Sequence, residues 1–250
     1  MIELRDLSLA HGRLKLLKGV NTTFGSGCLT ALIGRNGSGK STLLRALAGL
    51  DRGCHTGEIA YDGVSSPLSP EARARTVAFV NTSRVRIANM SCADLVALGR
   101  APYTGWAGRL SDDDRRIVED SLRMTGMEGY ASRTLDTMSD GECQRVMIAR
   151  ALAQSTPIIL LDEPTSFLDI PNRYQLVGLL QRLARDNGKC IIFSTHELDI
   201  AMQMADRIAL IDNPRLHNLT PSELDDSGLL QRLFFKSDRA ASPIADSVKI

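Results

Sequence analysis

The sequence of 250 residues predicts an α/β fold in which buried strands alternate with helices. An apolar run at residues 29–33 leads into a glycine-rich loop and then into a helix-forming segment at 43–48. A second apolar run, at 158–161, ends at two acidic residues. Unbroken apolar runs of this length are typical of strands that are buried on both faces of a parallel sheet. From about 88 to 155 helical composition dominates, so this region is predicted to be a helical lobe inserted into the α/β core.

The remaining strands and helices are predicted from local patterns along the chain. Residues 1–5 alternate between apolar and polar side chains as a half-buried strand does, and a strand at 57–63 ends in an Asp-Gly turn. Ser111 precedes residues 112–124, whose first turn is acidic, so we expect a helix there with Ser111 as its N-cap. The later patterns predict a helix at about 173–185 and strands at 189–194 and 207–211.

The glycine-rich loop, residues 34–42, has the sequence GRNGSGKST. This is the spacing of a P-loop, in which two glycines are followed by Lys and a hydroxyl residue. Glycines let the backbone turn its N–H groups onto phosphate oxygens, and the following helix adds the positive end of its dipole. Lys40 supplies a charge for the β- and γ-phosphates, and Ser41 supplies a hydroxyl for the magnesium ion. The residues predicted to hold the nucleotide are Gly34, Asn36, Gly37, Ser38, Gly39, Lys40, Ser41 and Thr42.

Two acidic residues, Asp162 and Glu163, follow the apolar run at 158–161. Parallel sheets bind ligands beyond the carboxyl ends of their strands, so both carboxylates are predicted to lie in the nucleotide crevice. Successive side chains of a strand face opposite ways, which allows the two acids to take different roles. Asp162 is expected to join the magnesium shell, and Glu163 is expected to act as the general base on the attacking water.

Composition and charge argue against several classes of protein. Thirty basic residues stand against twenty-nine acidic ones, so no general attraction to nucleic acid is expected. No run of about eighteen apolar residues occurs, which predicts that no segment spans a bilayer. The five cysteines form no CxxC pair and are odd in number, which argues against a disulfide framework or a zinc site. The N-terminus has no signal-peptide core, so the protein is expected in the cytoplasm.

Residues 138–145, MSDGECQR, are followed by a helix-forming stretch at 146–153. Placed between a P-loop and an Asp-Glu strand, this segment resembles the signature motif of ATP-binding cassette (ABC) ATPases, and the resemblance extends over about residues 1–212. Three further matches support it. Residues 166–169 occupy the place of that family's D-loop, His196 occupies the place of its switch histidine, and His11 the adenine-stacking position.

The resemblance implies a P-loop NTPase (RecA-like) core with an antiparallel β subdomain and an inserted α-helical lobe. A single ABC ATPase domain is implied over residues 1–236. Its nucleotide core would comprise 1–87 and 156–220, its helical lobe would comprise about 88–155, and a polar tail would follow at 237–250.

The resemblance also implies a mechanism, with ATP and Mg²⁺ as cofactors. Two subunits are expected to face head to tail, so that each ATP is held by Lys40 and the loop of one subunit and by Ser139 and Gly141 of the other. His196 is expected to hold the γ-phosphate and the attacking water. Asp169 is expected to communicate across the interface to the other site.

Three stretches, at 95–103, 167–173 and 195–201, are similar to one branch of the family, the ATPases of importers for ferric siderophores, haem and vitamin B12. The branch implies uptake of an iron complex (a ferric siderophore or haem), with cobalamin as the second choice. The implied partners are a second copy of this chain, separate membrane permease subunits and, indirectly, a substrate-binding protein. The ATPase would then lie peripherally on the inner face of the cell membrane.

Three sites depart from the family pattern. Asn81 and Thr82 stand where most members have a Gln that meets magnesium, so the shorter hydroxyl of Thr82 is expected to contact the ion or its water. Asp140 replaces a common Gly of the signature, and it either places a negative charge near phosphate or points away from it. His11 replaces the usual aromatic residue, and it either stacks on adenine more weakly than Tyr or lies in a solvent-facing turn.

Simpler roles and other functions stay open at this stage. The glycine loop could be a turn without a ligand, the two acids could cap a helix, and a lone His196 could be structural. Tyr103 and Trp106 are expected to pack within the helical lobe, with a contact to the membrane subunit as the alternative. The rival functions are a soluble ABC ATPase that acts on ribosomes or DNA, and a P-loop small-molecule kinase, which would leave the signature motif unexplained.

Overall fold

The computed structural model describes residues 1–12, 14–50, 53–81, 87–106 and 108–235. Its strands are β1 (Ile2–His11), β2 (Leu14–Phe24), β3 (Cys28–Gly34), β4 (His55–Tyr61), β5 (Val64–Ser65), β6 (Val77–Val80), β7 (Ile158–Leu161), β8 (Cys190–Ser194), β9 (Arg207–Asp212) and β10 (Arg215–Leu219). Its α-helices are α1 (Lys40–Leu47), α2 (Pro70–Thr76), α3 (Cys92–Ala97), α4 (Asp112–Met124), α5 (Asp140–Ala153), α6 (Ile170–Asp186), α7 (Leu198–Met204) and α8 (Pro221–Asp226). Short 3₁₀ turns lie at Leu98–Arg100, Glu128–Tyr130 and Leu135–Thr137, and a π-helical turn lies at Gln231–Phe235.

The larger sheet has the strand order β10-β9-β3-β8-β7-β6, and all neighbours are parallel except β9 and β10. Every residue of β7 and β8 is buried, as expected for strands that are covered on both faces. Strand β8 lies between β3 and β7. The carboxyl ends of these three parallel strands therefore meet at one edge of the sheet, where the glycine loop, the two acids and His196 follow them. The predicted α/β fold is confirmed.

The smaller sheet is antiparallel, with the strand order β2-β1-β4-β5. Apolar side chains of its inner face, including Leu4 and Leu9, share a core with Leu43 and Leu44 of α1. Because α1 begins at the end of the glycine loop, this packing fixes the small sheet beside that loop. His11, the last residue of β1, is thereby brought to the same edge of the molecule.

The helices α3, α4 and α5 lie between β6 and β7 along the chain and share a core with the larger sheet. Helix α4 begins after Ser111, as predicted. Helix α5 begins well before the predicted stretch at 146–153, because Ser139 caps its N-terminus and Glu142 returns the hydrogen bond. Helix α6 likewise begins earlier than expected, since Asp169 is its N-cap.

A buried ion pair links α4 to the end of α5. The side chains of Arg100 and Asp114 are 7% and 10% exposed, and Nε of Arg100 donates to Oδ1 of Asp114 at 2.8 Å. Nη1 of Arg100 also donates to the carbonyl oxygen of Ala153 at 2.7 Å, and the Tyr103 ring lies 4.0 Å from the guanidinium carbon. Hydrogen bonds from Ser111 and from Arg100 lower the pKa of Asp114 to about 2. Arg100 therefore fixes the helical lobe against the segment that leads into β7.

Replacing Asp114 by Asn is expected to lower the free energy of unfolding by about 3 kcal/mol near neutral pH, because Arg100 is left buried without a counter-charge. Folding lowers the pKa of Asp114, so its carboxylate stabilises the folded state at neutral pH, and this contribution is lost as the pH falls from about 4 to about 2. The difference between parent and variant in urea unfolding should therefore shrink over that range. Asp113→Asn, at an exposed acid of the same helix, is the control and should change little. A difference that is the same at about pH 3 as at neutral pH would contradict this assignment.

The two aromatic residues of the lobe behave differently. The hydroxyl of Tyr103 donates to the carbonyl oxygen of Gln154 at 3.0 Å, and its ring covers Arg100, so its predicted packing is confirmed. The prediction is wrong for Trp106, whose side chain is fully exposed. Among the described residues, no helix has both the length and the apolar character needed to cross a bilayer. Thr82 and the predicted tail at 237–250 lie outside the described residues.

Candidate functional site

The glycine-rich loop connects the end of β3 at Gly34 to the start of α1 at Lys40. Gly39 is the N-cap of α1 and has a φ of +102°, in the left-handed region that L side chains rarely adopt. A Cβ atom on Gly34 would lie 2.6 Å from Oγ of Ser38, so the loop closes too tightly for a larger residue. The loop thus leads its backbone directly into a helix N-terminus, which is a geometry that suits phosphate oxygens.

Lys40 lies across the base of this loop. Its Nζ donates to the carbonyl oxygen of Gly34 at 3.0 Å, and the side chain is buried. Burial lowers the pKa of Lys40, while the nearby Glu163 and Asp162 act in the opposite direction. Oγ of Ser38 is buried and has no hydrogen-bond partner among the described residues. A positive charge and an unsatisfied hydroxyl therefore meet at the loop, as a phosphate site requires.

A cleft of about 440 Å³ runs along the loop. Its lining combines His11, Leu14 and Leu16 from the hairpin of β1 and β2 with residues 36–42 and Glu163. The imidazole and the apolar side chains suit a flat base, and the glycine loop suits phosphates. Of the predicted residues, the cleft brings together His11, Asn36, Gly37, Ser38, Gly39, Lys40, Ser41, Thr42 and Glu163. Leu14 and Leu16 were not predicted, and their only signal in the sequence is that they follow closely after His11.

The two acids lie at the end of β7, and a serine of β8 fixes both. Oγ of Ser194 donates to Oδ1 of Asp162 at 2.7 Å and accepts from the backbone N–H of Glu163 at 2.8 Å. The strand ends at Leu161, and Glu163 has a φ of +44°, in the left-handed region. Strand alternation is therefore the wrong reason for their different directions, since a backbone turn separates the two side chains. Ser194 was not singled out from the sequence, although it stands two residues before His196.

His196 extends from the loop after β8 toward the same acids. Its Nδ1 lies 4.0 Å from Oε1 of Glu163, and its side chain is 54% exposed. On its other side His196 lines a second hollow of about 440 Å³, together with Gly34, Arg35 and Asn36 of the glycine loop. The predicted switch histidine, the predicted general base and the glycine loop are thus neighbours within one chain.

Ser139, Gly141 and Asp169 are placed elsewhere and do not line either hollow among the described residues. The exposed Ser139 is the N-cap of α5, where the carboxylate of Glu142 accepts from its backbone N–H at 2.8 Å. Gly141 lies in the first turn of α5, beside Leu168. The exposed Asp169 caps α6, with Oδ1 accepting from the N–H of Asn172 at 3.2 Å.

The residues that depart from the family pattern lie at different places in the structure. Asp140 is the first residue of α5, where the helix dipole favours a carboxylate. Asn81 follows β6 at the same edge of the sheet as the acids, and Thr82 lies outside the described residues. His11 is exposed at the mouth of the cleft.

Known proteins share this sequence and fold. Residues 17–166 match the family model described as ABC transporter. A petrobactin import ATP-binding protein of Bacillus anthracis is 36% identical over 94% of this chain and 86% of its own length. An iron(3+)-hydroxamate import ATP-binding protein of Bacillus subtilis (strain 168) is 34% identical over 92% of this chain and 86% of its own length. A cobalamin import ATP-binding protein of Halobacterium salinarum is 35% identical over 85% of this chain and 52% of its own length.

A solved structure supports the same assignment. It is a dimeric ATP-binding cassette in a post-hydrolysis state, bound to ADP and Pi, and it is 29% identical to this chain with a TM-score of 0.75. The alignment covers 88% of this chain and 99% of that cassette. The family match excludes the small-molecule kinase, and it confirms both the predicted fold class and the resemblance. The chain belongs to the ABC transporter family and is an ATP-binding ATPase of that family.

Proposed function

We propose that this ABC ATPase is the energising subunit of an importer for an iron complex and that it works as a homodimer beside separate membrane permease subunits. One observation carries the catalytic part of this proposal. The cleft joins Lys40 and the glycine loop to Glu163, with His196 lying 4.0 Å from the Glu163 carboxylate. Phosphate-binding and water-activating groups thus share one cleft, as ATP hydrolysis requires.

The residues that line the cleft determine how the nucleotide would lie in it. The adenine base would stack on His11, and the phosphates would accept hydrogen bonds from the loop and from Lys40. The buried hydroxyl of Ser38 supports this placement, because a phosphate oxygen would satisfy it. The residues proposed to hold the nucleotide are His11, Gly34, Asn36, Gly37, Ser38, Gly39, Lys40, Ser41 and Thr42.

The residues present also fit a magnesium ion. Ser41 and Asp162 would hold it, together with Thr82, which lies outside the described residues, and all three offer the hard oxygen atoms that Mg²⁺ prefers. Asp162 is 8% exposed and its carboxylate is fixed by Ser194, so one donor is already oriented. When bound, the ion supplies neutralisation of the charge on the β- and γ-phosphates.

Glu163 is the proposed general base. Its backbone N–H is anchored on Ser194, and its carboxylate lines the cleft beside the glycine loop. It would accept a proton from a water molecule that attacks the γ-phosphate. His196 would orient that water and the phosphate, for which its exposed imidazole is free to reach past the carboxylate.

The second subunit would complete the site. Ser139 and Asp169 are exposed in one chain, and neither these residues nor Gly141 line its own nucleotide cleft. In a head-to-tail dimer, Ser139 and Gly141 would contact the nucleotide of the partner, using the N-terminus of the fourteen-residue helix α5. Asp169 would lie at the interface and link the two sites.

The proposed substrate is an iron complex, a ferric siderophore or haem, with cobalamin as the second candidate. The relatives named for petrobactin and iron(3+)-hydroxamate import align over more than nine-tenths of this chain, whereas the cobalamin relative aligns over 85%. The protein would then bind a membrane permease peripherally at the inner face of the membrane, and a substrate-binding protein would deliver the complex. No role on ribosomes or DNA is proposed.

Uptake by cells tests this function. A strain whose own copy of this chain is deleted should lose uptake of radiolabelled iron supplied as a ferric hydroxamate and should keep uptake of radiolabelled cobalamin. The parent chain and Glu119→Gln, at an exposed acid of α4, should restore iron uptake, whereas Glu163→Gln should not. Loss of cobalamin uptake alone would make cobalamin the substrate, and normal uptake of ferric hydroxamate, haem and cobalamin would contradict the proposed importer.

A further inference from the structure

An ion pair connects two loops that the mechanism uses separately. Nη1 of Arg173, in the first turn of α6, lies 2.7 Å from Oε1 of Glu197, the residue that follows His196. The Glu197 side chain is 8% exposed and that of Arg173 is 31% exposed. Nε of the same guanidinium donates to the carbonyl oxygen of Leu168 at 2.7 Å, within the loop that leads to Asp169. One rigid, planar group therefore forms an ion pair with Glu197 and a hydrogen bond with the loop before Asp169.

The Glu197 side chain does not cap its own helix. It is the N-cap residue of α7, yet its side chain makes no capping hydrogen bond. Its backbone N–H instead donates to Oγ1 of Thr195 at 3.1 Å. A nearly buried carboxylate is costly unless a cation compensates it, and Arg173 is in place to do so. Neither carboxylate oxygen of Glu197 has a hydrogen-bond partner among the described residues, so the charge of Arg173 on α6 is what compensates it.

This arrangement determines where His196 points. The residues on either side of it, Thr195 and Glu197, are 1% and 9% exposed, while its own imidazole is 54% exposed. With both neighbours held inward, the imidazole is directed outward toward Glu163. Loss of the ion pair would release Glu197, which is one of the two buried neighbours that hold His196 in this direction.

We infer that Arg173 and Glu197 are positioning residues that tie the loop at 166–169 to His196, so that the two loops move together. Neither residue touches the reacting atoms. The inference rests on the proposed function, in which Asp169 meets the partner subunit and His196 meets the γ-phosphate. A contact that Asp169 makes at the nucleotide site of the partner would then affect His196 of its own chain through this ion pair.

Helices α6 and α7 are also joined by other contacts, so loss of the ion pair between Arg173 and Glu197 should not unfold them. The hydroxyl of Tyr174 lies 3.2 Å from Oδ2 of Asp199, and Nε2 of Gln181 donates to the carbonyl oxygen of Met204 at 3.0 Å. These contacts bridge α6 and α7 at two further levels. Glu197→Gln and the double variant leave no buried charge unpaired, so they should loosen the loops and leave the packing of the helices intact.

The kinetic test compares Arg173→Met, Glu197→Gln and the double variant with the parent. We expect kcat for ATP hydrolysis to fall by about ten- to a hundredfold while KM changes little, because the glycine loop is untouched. The double variant should be no slower than the slower single variant, since both break the same link. Arg185→Met is the matched control, because Arg185 lies on the same helix and pairs with Asp206 away from the site. Additive losses, or parent-like kcat in both single variants, would overturn the inference.

A second readout does not depend on turnover. The chain has four histidines, and the imidazole resonance of His196 can be assigned with His196→Gln. In Arg173→Met that resonance should shift, and the resonances of His11, His55 and His217 should stay in place. An unchanged His196 resonance would overturn the inference even if hydrolysis is slow. Loss of the proposed function itself has a different signature, which is parent-like hydrolysis by Glu163→Gln.

Discussion

Replacing Glu163 by Gln is expected to lower the rate of ATP hydrolysis by about 10²- to 10⁴-fold, the usual contribution of a positioned general base. Gln has nearly the same size and can keep the place of the side chain in the cleft, but it cannot accept the proton of the attacking water. The anchor on Ser194 uses the backbone N–H of residue 163 and is retained. Nucleotide binding should therefore persist while kcat falls, and phosphate release measured against ATP concentration separates the two effects.

The control for this change is Glu119→Gln, which removes an exposed carboxylate of α4 far along the chain from the cleft. It should hydrolyse ATP at the rate of the parent. If Glu163→Gln also retained the parent rate, another group would have to be the base, and the assignment built on the cleft would fail. A raised KM with unchanged kcat would instead indicate that Glu163 only helps to bind the nucleotide.

Replacing Lys40 by Ala is expected to weaken ATP binding by about 10- to 100-fold, since a hydrogen bond to a charged group contributes about 1.5–3 kcal/mol. Lys40 is buried at the base of the loop, where its Nζ already bonds the carbonyl oxygen of Gly34. Solvent screens a charge in such a place less than it screens a surface lysine. Isothermal titration calorimetry with ATP and magnesium measures the change directly.

Lys15→Ala provides the comparison for this effect. Lys15 is an exposed lysine of β2 that does not line the nucleotide cleft, so its removal should leave the affinity unchanged. Urea unfolding of both variants separates lost binding from lost structure. Equal affinities for the parent and a folded Lys40→Ala would contradict the proposed phosphate contact.

Local patterns were sufficient for the parts of the site that are contiguous in sequence. The loop around Lys40 and the acids at the end of β7 are marked by residue types in a local pattern, whereas His196 after β8 was assigned through the family resemblance. The parallel sheet brings them together because β8 lies between β3 and β7. The burial of those strands explains why unbroken apolar runs predicted them well.

Features that depend on how elements pack could not be predicted in this way. Ser194 anchors Asp162 and Glu163 only because β7 and β8 are neighbours, and nothing in its own sequence context reveals the strand order. The ion pair of Arg173 with Glu197 depends on the packing of α6 against α7.

Tertiary contacts also determine which side chains pack and which are exposed. The expectation that Tyr103 packs in the lobe was correct, because its ring lies over the Arg100 guanidinium. Trp106, three residues later, is fully exposed. Leu14 and Leu16 line the cleft because the small sheet packs on α1, a contact that composition does not reveal. Helix starts were misplaced for the same kind of reason, since capping by Ser139 extended α5 beyond its apolar pattern.

The central claim is that ATP joins two copies of this chain, and the mass of Glu163→Gln in solution tests it most directly. Light scattering during size-exclusion chromatography should give the 27.2 kDa of one chain without nucleotide and twice that mass with ATP and magnesium. Adding Lys40→Ala to the same chain should abolish the dimer. A single-chain mass for Glu163→Gln under ATP concentrations that saturate binding would contradict the shared nucleotide site.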